Sequence, residues 1–218
     1  MLYYYPGNAN LAPHMLLEEI GAPYELVLVD RTHDAHKAPD YLRLNPHGRI
    51  PVLIDGDLVL YEAAAICLHL VDRHPATALA PPLGTPERAH FYKWLVYLTN
   101  TVQAELLVYF YPGRWAEADA ARAEVKARAE AHVGTMFDTI ERELAGGGAS
   151  AGAGAGPHLL GERLSAADFY LLMLARWTRM MANPARRRPA VARLLDRLAE
   201  RPSVRRAFDS ESIAAPYF

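Results

Sequence analysis

The sequence predicts an α/β domain followed by an all-α domain. Short apolar runs with strand character, separated by turn residues, are confined to the first third of the 218-residue chain. Residues 78–86 then form a proline-rich segment. Beyond it, apolar residues recur with the 3.6-residue period of amphipathic helices. We therefore expect an α/β domain over residues 1–77, a linker over 78–86 and a helical domain over 87–218.

The first elements are predicted from residue type and turn signals. Residues 2–5 favour a strand that a Pro-Gly pair ends, and residues 24–30 have the alternation of a second strand. Between them, residues 11–20 predict a helix, with Gly21 at its C-terminal stop. Residues 39–44 predict a short helical turn. The predicted order up to this point is strand, helix, strand, short helix.

The stretch from Asn45 to Val71 is the most informative part of the chain. The apolar runs 52–54 and 58–60 flank an Asp-Gly turn, which predicts a β-hairpin. Pro51 makes a cis peptide bond between Ile50 and Pro51 energetically accessible. Such a bond can turn the backbone N–H and C=O groups at this junction toward a ligand. Residues 62–71 predict a helix whose first N–H groups form an anion site. These features suit an extended peptide with a free carboxylate; the alternative is a plain sheet edge with an ordinary loop proline.

The second half of the chain predicts long helices. Residues 87–111 and 117–145 form two amphipathic patterns, and Ser165 with Asp168 marks another helix start as a structural capping box. The low-complexity residues 146–157 predict a flexible loop; no Lys-Ser or Lys-Thr follows, as a phosphate-binding loop requires.

Composition excludes several classes of function. A net charge of −2 argues against a nucleic-acid partner, and residues 186–188, three arginines, predict a solvated turn. One cysteine excludes an intramolecular disulfide and suits a reducing compartment. No signal-peptide pattern and no uncharged run approaching the length of a membrane span is present, so we expect a cytoplasmic protein without membrane association.

The motif Asn-Pro-x-Gly-x-x-Pro-Val-Leu at residues 45–53, the hairpin and the following Tyr-Glu-x-x-Ala-Ile resemble the glutathione-binding half of the cytosolic glutathione transferases, a thioredoxin-like domain. The start Leu-Tyr-Tyr-x-Pro-Gly, the Leu-Ala-Pro-Pro linker, Ala167-Asp168 and the closing Arg-Pro-x-Val extend the resemblance over nearly the whole chain, and it is nearest to the bacterial beta class. The resemblance implies glutathione as co-substrate, a small hydrophobic electrophile as acceptor, a homodimer and no metal.

The resemblance also implies how glutathione is bound. The backbone of Ile50, beside Pro51, pairs with the cysteinyl peptide, while Glu62 binds the γ-glutamyl amine and the N–H of Ala63 binds its carboxylate. His33, with help from Arg49 or Lys37, reaches the glycyl carboxylate. A metal site at His33 and His36 is the alternative, but no cysteine or carboxylate pattern completes it.

Residues of the helical domain complete the implied site. Asn100 and Glu105 match residues that reach across a dimer interface to the partner's glutathione; an ordinary polar face is the alternative. The same helix presents Trp94, Tyr97 and Leu98 as an apolar face that favours dimerisation. An acceptor pocket between the domains is expected from aromatic and Met side chains that could instead be core: Tyr109, Tyr111, Trp115, Trp177 and Met180.

The chain departs from the beta class in the loop that holds the thiol. That class has a cysteine followed by a serine, where this chain has Ala9 and Asn10, and Cys67 lies in an apolar helix that cannot replace the cysteine. We therefore expect a hydrogen-bond donor to activate the thiol of glutathione, with Asn10, Asn8 and Tyr4 as candidates. Asn10 could equally be an N-cap, and Tyr4 an ordinary strand residue.

Two other functions remain open from the sequence. Related bacterial enzymes with Asn or Thr in this loop reduce disulfides with glutathione and without a protein cysteine. A non-catalytic glutathione-binding protein that has lost its thiol-activating residue is the second alternative.

Overall fold

A computed structural model describes residues 1–146 and 156–218. They form two compact units, one of Met1–Ala80 with Leu198–Tyr217 and the other of Pro81–Arg197 with Phe218. The expected domain division at residues 78–86 stays a prediction, although residues 198–217, expected in the helical domain, group with the first unit. The flexible loop predicted at residues 146–157 lies, except for its end residues, outside the described part of the chain.

A mixed β-sheet carries the core of the first unit. The strands β1 (Leu2–Tyr4), β2 (Leu26–Leu28), β3 (Val52–Asp55) and β4 (Leu58–Tyr61) lie in the order β2-β1-β3-β4. β1 pairs in parallel with β2 and antiparallel with β3, and β3 and β4 form the predicted hairpin. The predicted α/β class and the predicted order of strands and helices along the chain are confirmed.

Three helices of the first unit also match the predicted pattern. α1 (Leu11–Ile20) and α2 (Pro39–Leu44) have the predicted bounds, and α3 (Ala63–Arg73) begins directly after β4. Gly21 ends α1 with φ 72° and donates its N–H to the carbonyl of Leu17, the left-handed stop that glycine favours. β2 is shorter than the predicted residues 24–30 because its pairing with β1, its one neighbour in the sheet, covers three residues.

The helical run 86–110 of the second unit contains a wide turn that the sequence did not predict. α4 (Pro86–Tyr97) and α5 (Ala104–Phe110) are joined without a break by a π-helical segment, Leu98–Gln103. The hydroxyls of Thr99 and Tyr170 lie 2.9 Å apart, and Tyr170 donates to the amide oxygen of Gln103. This polar cluster occupies the part of the run where the helix widens.

The other helices of the second unit are α6 (Asp119–Leu144), α7 (Ala166–Trp177) and α8 (Pro189–Ala199). Every residue from Ala166 to Ala175 is buried, so α7 is the central helix of this unit. The predicted capping box is confirmed in its carboxylate half, since Asp168 accepts from the backbone N–H of Ser165 at 2.8 Å. Among the described residues, no helix combines the length and the apolar character that crossing a membrane requires.

Arg188 corrects the prediction of a solvated arginine turn. Arg186 is exposed and pairs with Asp196, as such a turn allows. Arg188 is buried, and its guanidinium donates to Asp138 at 2.7 Å and to the carbonyl of Gly134 at 2.7 Å. A charged side chain can be buried when its donors have such partners. Position 188 therefore anchors α8 to α6.

The C-terminal helix α9 (Pro202–Ser210) packs on α1 within the first unit. Its apolar face, with Val204, Ala207 and Phe208, is buried. Glu19 on α1 accepts hydrogen bonds from Arg201 and from Ser203. The prediction that the C-terminal segment lies in the helical domain did not foresee this packing, because the 3.6-residue period of a helix does not say which helix it packs against.

The sequence predicted an apolar dimerisation face formed by Trp94, Tyr97 and Leu98. This prediction is wrong for Trp94 and Leu98. Trp94 and Leu98 are buried within the chain, and Tyr97 is half-buried. The large apolar side chains that α4 exposes are Tyr92 and Val96.

Candidate functional site

One edge of the sheet brings together the ends of several elements. The strand register aligns Tyr3, Val52 and Tyr61 across β1, β3 and β4. Tyr4 follows Tyr3, Pro51 precedes Val52 and Glu62 follows Tyr61, so all three lie toward the same edge. Because β2 runs parallel to β1, the segment after β2 begins at the same edge. Most of the site residues predicted in the first domain therefore meet here.

The Ile50-Pro51 peptide bond is cis, the conformation that Pro51 was expected to make accessible. Asn45 and Tyr41 both donate to the carbonyl of Arg49, at 2.8 and 2.7 Å, and hold the loop before it. Within the described residues, no protein group is hydrogen-bonded to the backbone N–H or C=O of Ile50. This peptide edge can therefore pair with an extended ligand.

Gly48 shows how tightly the loop before Pro51 is packed. Its φ is 58°, and a Cβ at this position would lie 2.9 Å from the carbonyl oxygen of His36. Only glycine fits such a conformation and such a contact without displacement. The backbone therefore requires glycine at this position of the motif.

Glu62 has an unusual backbone conformation directly before α3. Its φ and ψ are 72° and 110°, a region that residues other than glycine rarely adopt, and its side chain is exposed. Ala63 begins the helix and is buried, so the first N–H groups of α3 directly follow Glu62 in the chain. A strained residue at a helix N-terminus suggests a binding role for the pair.

The loop between β1 and α1 contains Asn8 and Ala9. Asn8 is half-buried, and its side-chain oxygen accepts from the N–H of Ala9 at 2.8 Å. In the described part of the chain, the side-chain amide nitrogen of Asn8 has no protein partner. Asn8 therefore offers a donor in the loop that follows β1.

Asn10 is the N-cap residue of α1, as predicted, and its carbonyl accepts from the N–H of His14 at 2.9 Å. Its side chain is fully buried and makes no cap hydrogen bond. Its oxygen accepts from the N–H of Tyr5 at 3.1 Å, and its amide nitrogen donates to Glu211 at 2.7 Å. An inaccessible amide bonded within the protein is poorly placed to donate to a thiolate. Glu211, at the end of α9, carried no signal in the sequence.

His33 is exposed in the segment after β2. Its Nδ1 lies 2.6 Å from Asp30, and this hydrogen bond raises the pKa of His33 above its usual range. Hydrogen bonds from Thr32 and His33 lower the pKa of Asp30 to about 2. His33 thus remains a cation further into the neutral range than a free histidine and can attract a carboxylate.

Neither His36 nor Cys67 adds chemistry to this edge. Burial lowers the pKa of His36, and over the described ranges no group of three His, Cys, Asp or Glu side chains is arranged to hold a metal ion. Cys67 is completely buried in α3, and burial raises the pKa of its thiol. A protonated, inaccessible thiol is unreactive.

Three of the residues predicted in the second unit lie in the π-helical segment and in α5. Asn100 is exposed in the π-helical segment, and Glu105 on α5 pairs with His132 on α6 at 3.0 Å. Tyr109 is buried beneath the ammonium group of Lys126. The predicted partner-facing role of Glu105 thus competes with an ion pair in its own chain.

The predicted acceptor residues differ in exposure. The ring of Trp177 meets that of Phe110 edge-on at 6.1 Å, and the guanidinium of Arg114 lies over Tyr111. Trp115 and Met180 are 66% and 81% exposed, which excludes both from the core of this unit. The core alternative thus applies to Tyr109 and not to Trp115.

Family models match both halves of the chain. The glutathione S-transferase N-terminal domain matches residues 1–72, and the glutathione S-transferase C-terminal domain matches residues 123–209. A sphingomonad glutathione S-transferase solved in complex with glutathione is 31% identical, with a TM-score of 0.81, over 98% of this chain and 99% of that one. The chain belongs to the glutathione S-transferase family.

Other members of the family are similar over almost their whole length. Glutathione S-transferase GstA from Escherichia coli is 28% identical over 97% of this chain and 98% of its own. A bacterial beta-class glutathione S-transferase from Sphingomonas chungbukensis is 30% identical, with a TM-score of 0.80, over 98% of this chain and 99% of that one. The predicted glutathione S-transferase fold is thereby confirmed.

Family membership gives the loop after β1 its significance. This glutathione S-transferase has Ala9 where the resemblance to the beta class places a cysteine, and Ala9 is buried. The single cysteine of the chain, Cys67, is buried. The sulfur chemistry of this family member therefore cannot use a protein thiol at the loop.

Proposed function

We propose that the protein is a glutathione transferase that binds glutathione at the sheet edge described above and transfers its thiolate to a small hydrophobic electrophile. One observation carries the proposal. The backbone of Ile50 has no protein hydrogen-bond partner within the described residues and precedes a cis proline. Val52, two residues further on, pairs with Tyr61, the residue before Glu62 and the N-terminus of α3. A peptide with a free amine and a carboxylate at one end matches these groups.

Each part of glutathione has a group to meet it in this proposal. The cysteinyl peptide pairs with the backbone of Ile50, the γ-glutamyl amine binds Glu62, and the γ-glutamyl carboxylate binds the N–H of Ala63. His33, with Arg49, attracts the glycyl carboxylate, and the raised pKa of His33 supports this role.

The thiol is activated by hydrogen bonding. A free thiol has a pKa of about 8.5 and is mostly protonated at neutral pH. A hydrogen-bond donor must therefore stabilise the thiolate. We assign this role to Asn8, because its amide nitrogen is unpartnered in the described part of the protein and its side chain is partly exposed. Tyr4 is the second candidate, and Asn10 is no longer one, because its amide is buried against Glu211.

In this proposal the second unit binds the electrophile and contacts the partner's glutathione. Exposed aromatic and Met side chains of the second unit contact the electrophile, with Trp115 the best supported by its exposure. Asn100 is accessible for the predicted contact with a partner's glutathione, as a homodimer requires. The single cysteine supports the cytoplasmic location.

Turnover of two probes tests the proposed reaction. With glutathione, a chlorodinitrobenzene electrophile should be conjugated, with release of chloride, by the wild-type protein. A small mixed disulfide of glutathione is the competing probe, because Ala9 at the cysteine position also fits reduction by bound glutathione alone. Turnover of the disulfide without conjugation would replace the transferase assignment with disulfide reduction; binding without either reaction would leave a binding protein.

A further inference from the structure

Three groups of the first unit converge on the carboxylate of Glu211. The N–H of Gly7 donates to one oxygen at 2.7 Å, and the amide of Asn10 donates to the other at 2.7 Å. The Nδ1 atom of His14 lies 2.7 Å from that second oxygen. The side chains of Glu211 and His14 are both fully buried. A buried carboxylate is stable only with such partners, and here two of the three come from the loop between β1 and α1.

Both ring nitrogens of His14 have hydrogen-bond partners. The Nε2 atom lies 2.9 Å from the hydroxyl of Tyr24, which donates to Glu18. The other ring nitrogen faces the Glu211 carboxylate and donates to it. Burial, then the hydrogen bond to Glu18, raises the pKa of Tyr24, which keeps it a phenol. His14 therefore adds a third hydrogen bond to the buried Glu211 carboxylate, besides those from Gly7 and Asn10.

The carboxylate fixes the loop from both sides of Asn8. Gly7 is bound to Glu211 directly, and Asn10 is bound to Glu211 while it also accepts from the N–H of Tyr5. Asn8 and Ala9 are the two residues left between these anchors. The position of the Asn8 side chain is thus set by a residue that lies about 200 positions later in the chain and on a different element.

We propose that Glu211 is a positioning residue for thiol activation: it holds residues 7–10 so that Asn8 and the loop N–H groups can donate to the glutathione thiolate. The inference rests on the proposed function, because it assumes that this loop meets the sulfur. Glu211 itself does not touch glutathione. The end of the C-terminal helix thereby becomes part of the apparatus that sets the reactivity of the thiol.

Glu211→Gln tests the proposal with the shape of the side chain kept. Its amide nitrogen cannot accept from Asn10 or from Gly7, so one anchor of the loop is lost. We expect the pKa of bound glutathione, measured from thiolate ultraviolet absorbance, to rise by about one unit, which corresponds to an about tenfold loss of thiolate at a pH below that pKa. The kcat for the chlorodinitrobenzene electrophile should fall, while the Kd for glutathione should change less than about twofold, since the peptide contacts are elsewhere.

Glu19→Gln is the matched control. Glu19 also joins α1 to the C-terminal segment, through Arg201 and Ser203, but makes no contact with the loop. It should lower the melting temperature and leave the pKa of bound glutathione unchanged. If Glu211→Gln behaves like Glu19→Gln, with lower stability and an unmoved thiol pKa, Glu211 is merely structural and the proposal is wrong.

Glu211→Asp decides the question if Glu211→Gln does not fold. It keeps the charge opposite His14 but withdraws the oxygens from Gly7 and Asn10 by one methylene. A rise of the thiol pKa in the folded Asp variant supports the proposal, and an unchanged pKa overturns it. Failure of the proposed function is distinguishable, because the wild-type protein would then not bind glutathione or not ionise it in the first place.

Discussion

At the scale of single residues, Asn8 and Asn10 show how the same side chain serves two purposes in one loop. Asn10 is fully buried, and its oxygen and nitrogen both bond within the protein. Asn8 is partly exposed, and its side-chain oxygen accepts from the N–H of Ala9. Its amide nitrogen has no protein partner in the described residues. Asn10 is therefore a structural asparagine, and Asn8 is the candidate donor.

Replacement of Asn8 should test the donor directly. Asn8→Ala removes a neutral hydrogen bond to the thiolate, so the pKa of bound glutathione should rise by about one unit, with binding little affected. The measurement is the ultraviolet absorbance of the thiolate as a function of pH. Tyr4→Phe is the control and should leave the pKa unmoved. Loss of the thiolate signal in Tyr4→Phe, with Asn8→Ala silent, would assign the role to the phenol instead.

The sequence predicted which residues surround the sulfur but not what each one does. Asn10 was expected to be a donor because it stands at the serine position of the beta class, or an N-cap because it directly precedes α1. Its actual partner, Glu211, is 201 positions away, and no local pattern indicates a contact across that separation. Glu62 was predicted correctly in position at the start of a helix, yet its φ of 72° depends on how β4 turns into α3, which composition does not reveal.

At the scale of elements, Asp168 holds the start of the central helix α7. Its buried carboxylate accepts from the N–H groups of Ser165 and Leu159 at 2.8 and 2.9 Å, and from the Ser165 hydroxyl at 3.1 Å. The Leu159 contact extends the predicted capping box to the segment that precedes the helix. A single side chain therefore satisfies donors from two parts of the chain.

Asp168→Ala should lower the free energy of unfolding by about 3 kcal/mol, because it leaves two buried backbone N–H groups without acceptors. Urea denaturation followed by circular dichroism measures the change. Glu162→Ala, at an exposed position a few residues earlier, is the control and should stay within about 0.5 kcal/mol of the wild type. A loss for Asp168→Ala no larger than for the control would mean that the cap contributes little.

Helix bounds were predictable where chemical signals mark them and not where packing decides. Gly21 ends α1, and Ser165 with Asp168 begins α7, as the local rules require. The π-helical segment between α4 and α5 has no such signal in its sequence. Arg188 was expected in a solvated turn because neighbouring arginines usually are, whereas the acceptors Asp138 and Gly134 come from another helix.

At the scale of the whole molecule, fold class and family were predictable because they rest on many weak signals in a fixed order. The change from strand patterns to helical periodicity gave the α/β and all-α halves, and the motif around Pro51 gave the family. The place of the C-terminal helix was not predictable, since residues 198–217 group with the first unit for reasons of packing against α1.

A homodimer is the expected assembly, and α4 supplies the residues to test it. Tyr92 and Val96 are apolar and exposed on this helix, at 39% and 57%. Light scattering after size-exclusion chromatography should give twice the mass of the 24.2 kDa chain at micromolar concentration. Val96→Glu places a charge on this face and should shift the protein toward the monomer, while Ala123→Glu on α6 should not. A wild-type monomer would remove Asn100 and Glu105 from the proposed site.

The central claim is that glutathione binds at the sheet edge formed by the Ile50-Pro51 peptide and Glu62, and calorimetric titration with glutathione tests it most directly. The wild-type protein should bind one glutathione per chain. Glu62→Ala should weaken binding by about 1.5 kcal/mol or more, because it removes a charge-assisted hydrogen bond to the γ-glutamyl amine. Asp57→Ala, an exposed carboxylate at the hairpin turn, should bind as the wild type does. No heat of binding to the wild type, or an equal Kd for a folded Glu62→Ala variant, would contradict the claim.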